Sequence, residues 1–228
     1  MKKISNQSNS QNFKLGIKKV DANIPKWPEK NFILLSGTEG SGKLIFSMQF
    51  LVNGIKFFDE PGLYISLEDD ENEILYLLNT FSWDLQNLIQ KKKLEIIKPE
   101  TISMQTIIKY IEDEKDRLNI KRIVINPLNL ISSNSKDIFS IRKNLSDLKR
   151  KIFNLNCHCL LVSDVNNEQK SYSYSGYEEF VANSHLHLSI DFDRKKNKAK
   201  RYIEILKVKG CAHDIKRIEF KITKNGIE

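Results

Sequence analysis

Cysteine is scarce in this chain: its 228 residues include three, Cys157, Cys159 and Cys211. Three is too few, and odd, for a disulfide framework, so a reducing compartment and a cytoplasmic location are expected. Glycine and proline number nine and five, which excludes a collagen-like or low-complexity chain. No apolar run approaches the ~20 residues that span a bilayer, so no membrane partner is expected. The start, Met1 to Asn12, is polar and rich in Ser, Asn and Gln. It lacks the apolar stretch of a secretory signal and reads as a flexible tail ahead of one domain over residues 13–228.

Metal-ligand spacing is also thin. Cys157-His158-Cys159 invites a metal reading, but a Cys-x-Cys pair in a strand points both thiols to one face and the histidine to the other. The tract runs on as Leu160-Leu161-Val162, so a buried strand is the better account.

What is present is the composition of an ordinary α/β domain, 40% hydrophobic and 29% charged. Lys and Arg total 37 against 29 Asp and Glu, a net +8 at pH 7. That balance permits nucleic acid, nucleotides or anionic surfaces as partners and chooses none of them. Arg194–Arg201 holds six basic residues in eight but no aromatic side chain for base stacking, so nucleic acid is not the favoured partner.

Strand-like and helix-like segments alternate from about residue 31. Apolar runs at Asn31–Ser36, Leu63–Leu67, Leu94–Lys98, Arg122–Asn126 and Cys157–Val162 read as strands. Helical spacing covers Lys43–Phe58, Glu71–Phe81, Thr101–Leu118 and Lys136–Asn154. This order predicts a mostly parallel sheet covered on both faces. The last third alternates instead, at His185–Asp193, Tyr202–Val208 and Ile218–Thr223. Those segments predict antiparallel strands that extend the sheet edge.

The chemistry-bearing motif is Gly37-Thr38-Glu39-Gly40-Ser41-Gly42-Lys43, a G-x-x-x-x-G-K run with a strand before it and a helix after it. Glycines let the backbone wrap a phosphate with its N–H groups turned inward, and the helix N-terminus adds partial positive charge. Lys43 would reach the β- and γ-phosphates. The next position is Leu44, where a hydroxyl would normally sit on Mg²⁺. Leucine offers a hard cation no oxygen. Asn126 likewise stands at the end of a strand that usually finishes in a magnesium-directing Asp. Two changes aimed at one ion make Mg²⁺ a doubtful cofactor and suggest altered chemistry.

Glu68-Asp69-Asp70 follows the second strand. A carboxylate there could orient water toward a γ-phosphate, or the acids could serve the N-terminal dipole of the next helix. Residue type alone leaves both open. Asp164 ends the Cys157–Ser163 strand beside the same crevice. An acid repels phosphate, so it is assigned no role.

Taken together, these residues resemble a KaiC-type domain of the RecA-like P-loop ATPase superfamily. The similarity runs through Leu15-Gly16-Ile17 to Asp21, with Ala22-Asn23-Ile24-Pro25 in place of the family's Gly-Gly-Ile-Pro. It continues in Glu60–Glu68, Phe81-Ser82-Trp83-Asp84-Leu85 and Glu178–Asn183, and ends in Ile203–Gly210 with His213. The resemblance implies a RecA-like fold with ATP bound at Gly37, Thr38, Glu39, Gly40, Ser41, Gly42, Lys43 and Leu44. It implies Glu68 and Asp69 as the catalytic acid pair. It also implies a ring, commonly a hexamer, or a hetero-oligomer with a related ATPase. Lys207, Lys209 and His213 of one subunit would then reach a neighbour's nucleotide. Lys209 stands where the family has Arg, keeping the charge without the bidentate fork.

The expected function is an ATP-binding regulatory or scaffold protein with weak or lost hydrolysis. An active Mg-dependent ATPase of the same family and a single-stranded DNA-binding protein like the recombinases are the competing expectations.

Overall fold

The computed structural model describes residues 13–133, 138–165, 172–193 and 198–228. The expected tail at residues 1–12 and the first half of the basic run, residues 194–197, lie outside the described residues.

Eight strands form one sheet: β1 Phe32–Gly37, β2 Gly62–Ser66, β3 Leu94–Ile97, β4 Arg122–Asn126, β5 His158–Asp164, β6 Ser184–Asp193, β7 Lys198–Val208 and β8 Arg217–Phe220. Their order is β3-β2-β4-β5-β1-β6-β7-β8. From β3 to β6 all pairings are parallel; β7 and β8 continue the edge antiparallel. The fold is therefore α/β with a mostly parallel sheet and antiparallel C-terminal strands, as the alternation of elements predicts. A small hairpin, β9 Ile222–Thr223 with β10 Gly226–Ile227, follows.

Both faces of the sheet are covered, which is why its central strands are apolar throughout. One face packs Ile33, Leu35, Tyr64 and Val124 against the helix Lys43–Phe58 and the segment around Phe13–Trp27. The other packs Phe32, Leu34, Ile123 and Leu161 against the helices Met104–Leu118 and Ile138–Asn154. Cys157 and Cys159 are both fully buried on this second face. His158 instead stacks on Phe13 with ring centroids 4.2 Å apart. No group of three metal-ligating side chains occurs among the described residues.

Local signals explain the starts of two helices. Ser103 caps Met104–Leu118 by accepting from the Thr106 N–H at 3.0 Å. At Glu71–Leu77, Asp70 and Glu73 form a reciprocal capping box. That helix stops earlier than the expected Phe81. The chain then turns toward the C-terminal hairpin: the Ser82 N–H donates to Lys224 O at 2.8 Å, and buried Trp83 donates from Nε1 to Asn225 O. A further short helix, Leu85–Gln90, follows.

Arg122 is the largest fully buried side chain. Its guanidinium donates to Glu60 Oε2 at 2.6 Å and to the carbonyls of Lys14, Leu15 and Phe50. It also lies against the rings of Phe13, Phe50 and Phe58. Burial pulls its pKa down and Glu60 pushes it back up. The arginine thus ties the opening segment to the underside of the sheet, with four of its five N–H donors hydrogen-bonded to offset the burial of its charge.

Candidate nucleotide site

β1 delivers the chain into the loop at Gly37, and Gly42 closes it at the head of the helix Lys43–Phe58 with φ of 105°. That left-handed conformation favours glycine. Gly37 is fixed by space instead: a Cβ there would meet Leu188 O at 2.6 Å and Ser41 Oγ at 2.8 Å. Ser41 braces the turn by donating from Oγ to Thr38 O at 2.7 Å.

Lys43 folds back over the loop. Its Nζ donates to Gly37 O at 2.9 Å and Thr38 O at 2.8 Å, and pairs with Asp164 Oδ1 at 3.0 Å. Lys43 is thus held by two hydrogen bonds and one ion pair. Asp164 reaches it because β5 lies beside β1 and Asp164 is the register partner of Gly37.

The loop opens on a cavity of about 660 Å³. Of the residues expected from sequence, Glu39, Gly40, Gly42, Lys43, Leu44, Glu68 and Asn126 line it. Asp164 and Arg201 do so as well, and Leu78, Phe81 and Ile222 give it an apolar side. The sequence offered no signal for Arg201, which donates from Nε to Gly40 O at 3.1 Å.

Glu68 is exposed at this cavity. Its pKa is pushed up by partial desolvation, then by the negative charges of Asp164 and Asp69. The open choice for the acid run divides by residue: Asp70 serves the helix cap, while Glu68 faces the cavity.

The two magnesium positions have other engagements. Leu44 packs, partly buried, against the core. Asn126 donates from Nδ2 to the Tyr64 hydroxyl at 2.9 Å. Burial raises the Tyr64 phenol, and that hydrogen bond partly offsets the rise.

Lys207, Lys209 and His213 are not at this cavity. Lys207 Nζ donates to Glu179 O and Ala182 O of its own chain, at 2.7 and 2.8 Å. Its pKa is lowered by burial and by Lys209. Lys209 is exposed and lines a separate cavity of about 470 Å³ with Arg142, Lys149 and Arg150. His213 sits in the turn beyond β7 with Nδ1 3.2 Å from Cys211 O, and its buried Nε2 has no hydrogen-bond partner among the described residues.

A third polar cluster lies on β1 and β6, just before the loop. Ser36 Oγ is 2.8 Å from His185 Nε2 and 3.0 Å from His187 Nδ1. Burial lowers His185 to about 3 and His187 to about 4.

Several known proteins share this chain's sequence and fold. The circadian clock oscillator protein KaiC of Nostoc sp. is 29% identical over 204 residues, covering 85% of this chain and 39% of that protein. The chain thus spans about two-fifths of the length of that relative. A UPF0273 protein of Methanocaldococcus jannaschii is 28% identical over 215 residues, covering 88% of both chains. A crystal structure of a KaiC-like protein from Pyrococcus horikoshii superposes with a TM-score of 0.82 at 27% identity, covering 95% of this chain and 97% of that one. The family model for the KaiC ATPase matches residues 13–228, from the segment that Arg122 secures through the glycine loop to the final hairpin. The chain belongs to the KaiC family of RecA-like ATPases, a nucleotide-binding family.

Proposed function

We propose that this chain is an ATP-binding regulatory or scaffold protein that works as an oligomer and hydrolyses ATP weakly or not at all. One observation carries the reading. A complete glycine loop with its lysine opens on a nucleotide-sized cavity, while the two positions that would seat Mg²⁺ hold Leu44 and Asn126. The donor set does not fit a metal placed in the usual way. Leucine supplies no oxygen, and Asn126 brings a neutral amide already bonded to Tyr64. Metal compensation is worth several kcal/mol in phosphoryl transfer, so its loss should slow turnover by orders of magnitude.

The loop N–H groups and Lys43 would bind the phosphate chain, and Leu78, Phe81 and Ile222 would cover the apolar part of the nucleotide. The oligomer is supported by the placement of Lys209. It lies in a separate cavity rather than beside its own loop, as a residue serving a neighbour would. A homo-oligomer, commonly a hexamer in the family, and a hetero-oligomer with a related ATPase both fit that placement.

Calorimetric titration with ATP, with and without Mg²⁺, tests this. Binding that does not depend on the metal is expected; binding only with Mg²⁺ would overturn the reading. The active-ATPase reading draws on Glu68, whose raised pKa suits a base for water. Metal-dependent phosphate release above ~0.01 s⁻¹ that vanishes in Glu68→Gln would favour it, that threshold being set by slow P-loop rates.

A further inference from the structure

Asp164 is a charged side chain at the loop that the functional reading leaves without a task. It is also the one that takes hold of Lys43. The carboxylate begins where the loop begins, since Asp164 and Gly37 are paired across β5 and β1. Asn129 holds it from behind: the Asp164 N–H donates to Asn129 Oδ1 at 3.1 Å, and Asn129 Nδ2 lies 3.4 Å from Asp164 Oδ2. Its Oδ1 pairs with the Lys43 ammonium at 3.0 Å, beside the hydrogen bonds that Nζ gives to Gly37 O and Thr38 O. A phosphate chain that calls on Lys43 must displace one of the three. The carboxylate is about half exposed, 47%, and belongs to no ladder or turn through that oxygen, so it is the partner that gives way.

Resting on the nucleotide-binding reading above, we propose that Asp164 sets this loop against a third phosphate, so that the metal-free site prefers a nucleoside diphosphate to a triphosphate. A loop of this kind holds its innermost phosphate mainly through backbone N–H groups, and its lysine spans the last two. The outermost phosphate of ATP would therefore lie beside Lys43, against Asp164 and with Glu68 across the cavity. Arg201 also lines the cavity, with its Nε committed to Gly40 O. A diphosphate can use the loop amides and leave the Lys43–Asp164 pair in place. The competition is direct: carboxylate and γ-phosphate are anions seeking the same ammonium.

The experiment is calorimetric titration of ADP and of ATP, both in EDTA, into the full chain and its Asp164→Asn variant, with Lys43→Ala as a control. The wild type should bind ADP more tightly than ATP by about tenfold, the scale of one like-charge pair at short range near a surface. Asp164→Asn should tighten ATP by about that factor and leave ADP nearly unchanged. If the wild type binds ATP as tightly as ADP, or if the variant shifts both equally, Asp164 has no such role. If Asp164→Asn does not fold, Asp164→Ser and the wild-type ratio decide the matter in the same way. Failure of both nucleotides to bind either protein would overturn the nucleotide-binding reading itself, and this proposal with it. Lys43→Ala should weaken ATP, because the outermost phosphate loses its ammonium; unchanged ATP binding there would overturn the proposal.

Discussion

The side-chain amide of Asn126 donates to the Tyr64 hydroxyl at 2.9 Å, joining the end of β4 to the middle of β2. The position that would direct a metal is thus satisfied by a neutral partner. Replacing Leu44 with Thr and Asn126 with Asp together should restore an oxygen donor set. Mg-dependent phosphate release is then expected to rise at least tenfold over the wild type, about 1.4 kcal/mol in barrier. Either change alone should give less. A phosphate-release assay with and without Mg²⁺ checks this; no gain in the double variant would mean that the metal is placed by other groups.

Gly37→Ala should damage both fold and site. The added methyl would press on a backbone oxygen at 2.6 Å, which no rotamer can relieve. A cost of about 1–3 kcal/mol is expected from such overpacking, read as a lower urea midpoint, with nucleotide binding lost. Gly40→Ala provides the contrast, since open space surrounds its Cβ direction and only its φ of 72° is strained. A smaller loss of stability is expected there.

Arg122→Ala should be among the most destabilising single changes. It removes four hydrogen bonds and the packing against three aromatic rings. About 3–5 kcal/mol is expected, the range for breaking a buried charge pair. Arg122→Lys keeps the charge but cannot serve Glu60 and three carbonyls at once, so it should recover only part of that loss. Equilibrium urea unfolding of the three proteins tests the order.

Stability should fall with acid between about pH 6.5 and pH 4. His158 and His185 are held near 3 and His187 near 4, chiefly by burial. In the unfolded chain each takes a proton near 6.5, so the unfolded state binds more protons across that interval and stability declines as pH drops. Each group contributes up to about 1.4 kcal/mol per pH unit there. The benefit of keeping them neutral is complete above the unfolded value. Unfolding free energies measured at half-unit steps would reveal it; a flat profile from 6.5 to 4 would contradict the buried neutral state.

Much of this site is written locally, and that part was legible in the sequence. The run Gly37–Lys43 fixes both the loop and the helix that follows, whose observed bounds Lys43–Phe58 agree with the spacing of its apolar residues. Arg122–Asn126 reads as a strand because it is apolar and bounded by polar neighbours, and so it is. What the sequence hides is adjacency. Asp164 meets Lys43 only because β5 pairs with β1 across 121 positions of chain. The early stop of the helix at Leu77 has the same origin, since Ser82 and Trp83 are drawn to Lys224 and Asn225 far along the chain. Lys207 was expected to reach outward, yet its ammonium is held by two carbonyls of its own chain. Spacing within a strand says which face a lysine takes, not which acceptors wait there.

Strand β7 carries Arg201 at the glycine loop and Lys207 near its other end, with a register shift in its pairing opposite His185 and Leu186. Six residues of extended chain measure ~20 Å, so the strand behaves as a ruler between two cation-bearing stations. Each cation bonds backbone carbonyls, so the strand spaces the glycine loop at Gly40 from the turn at Glu179 and Ala182.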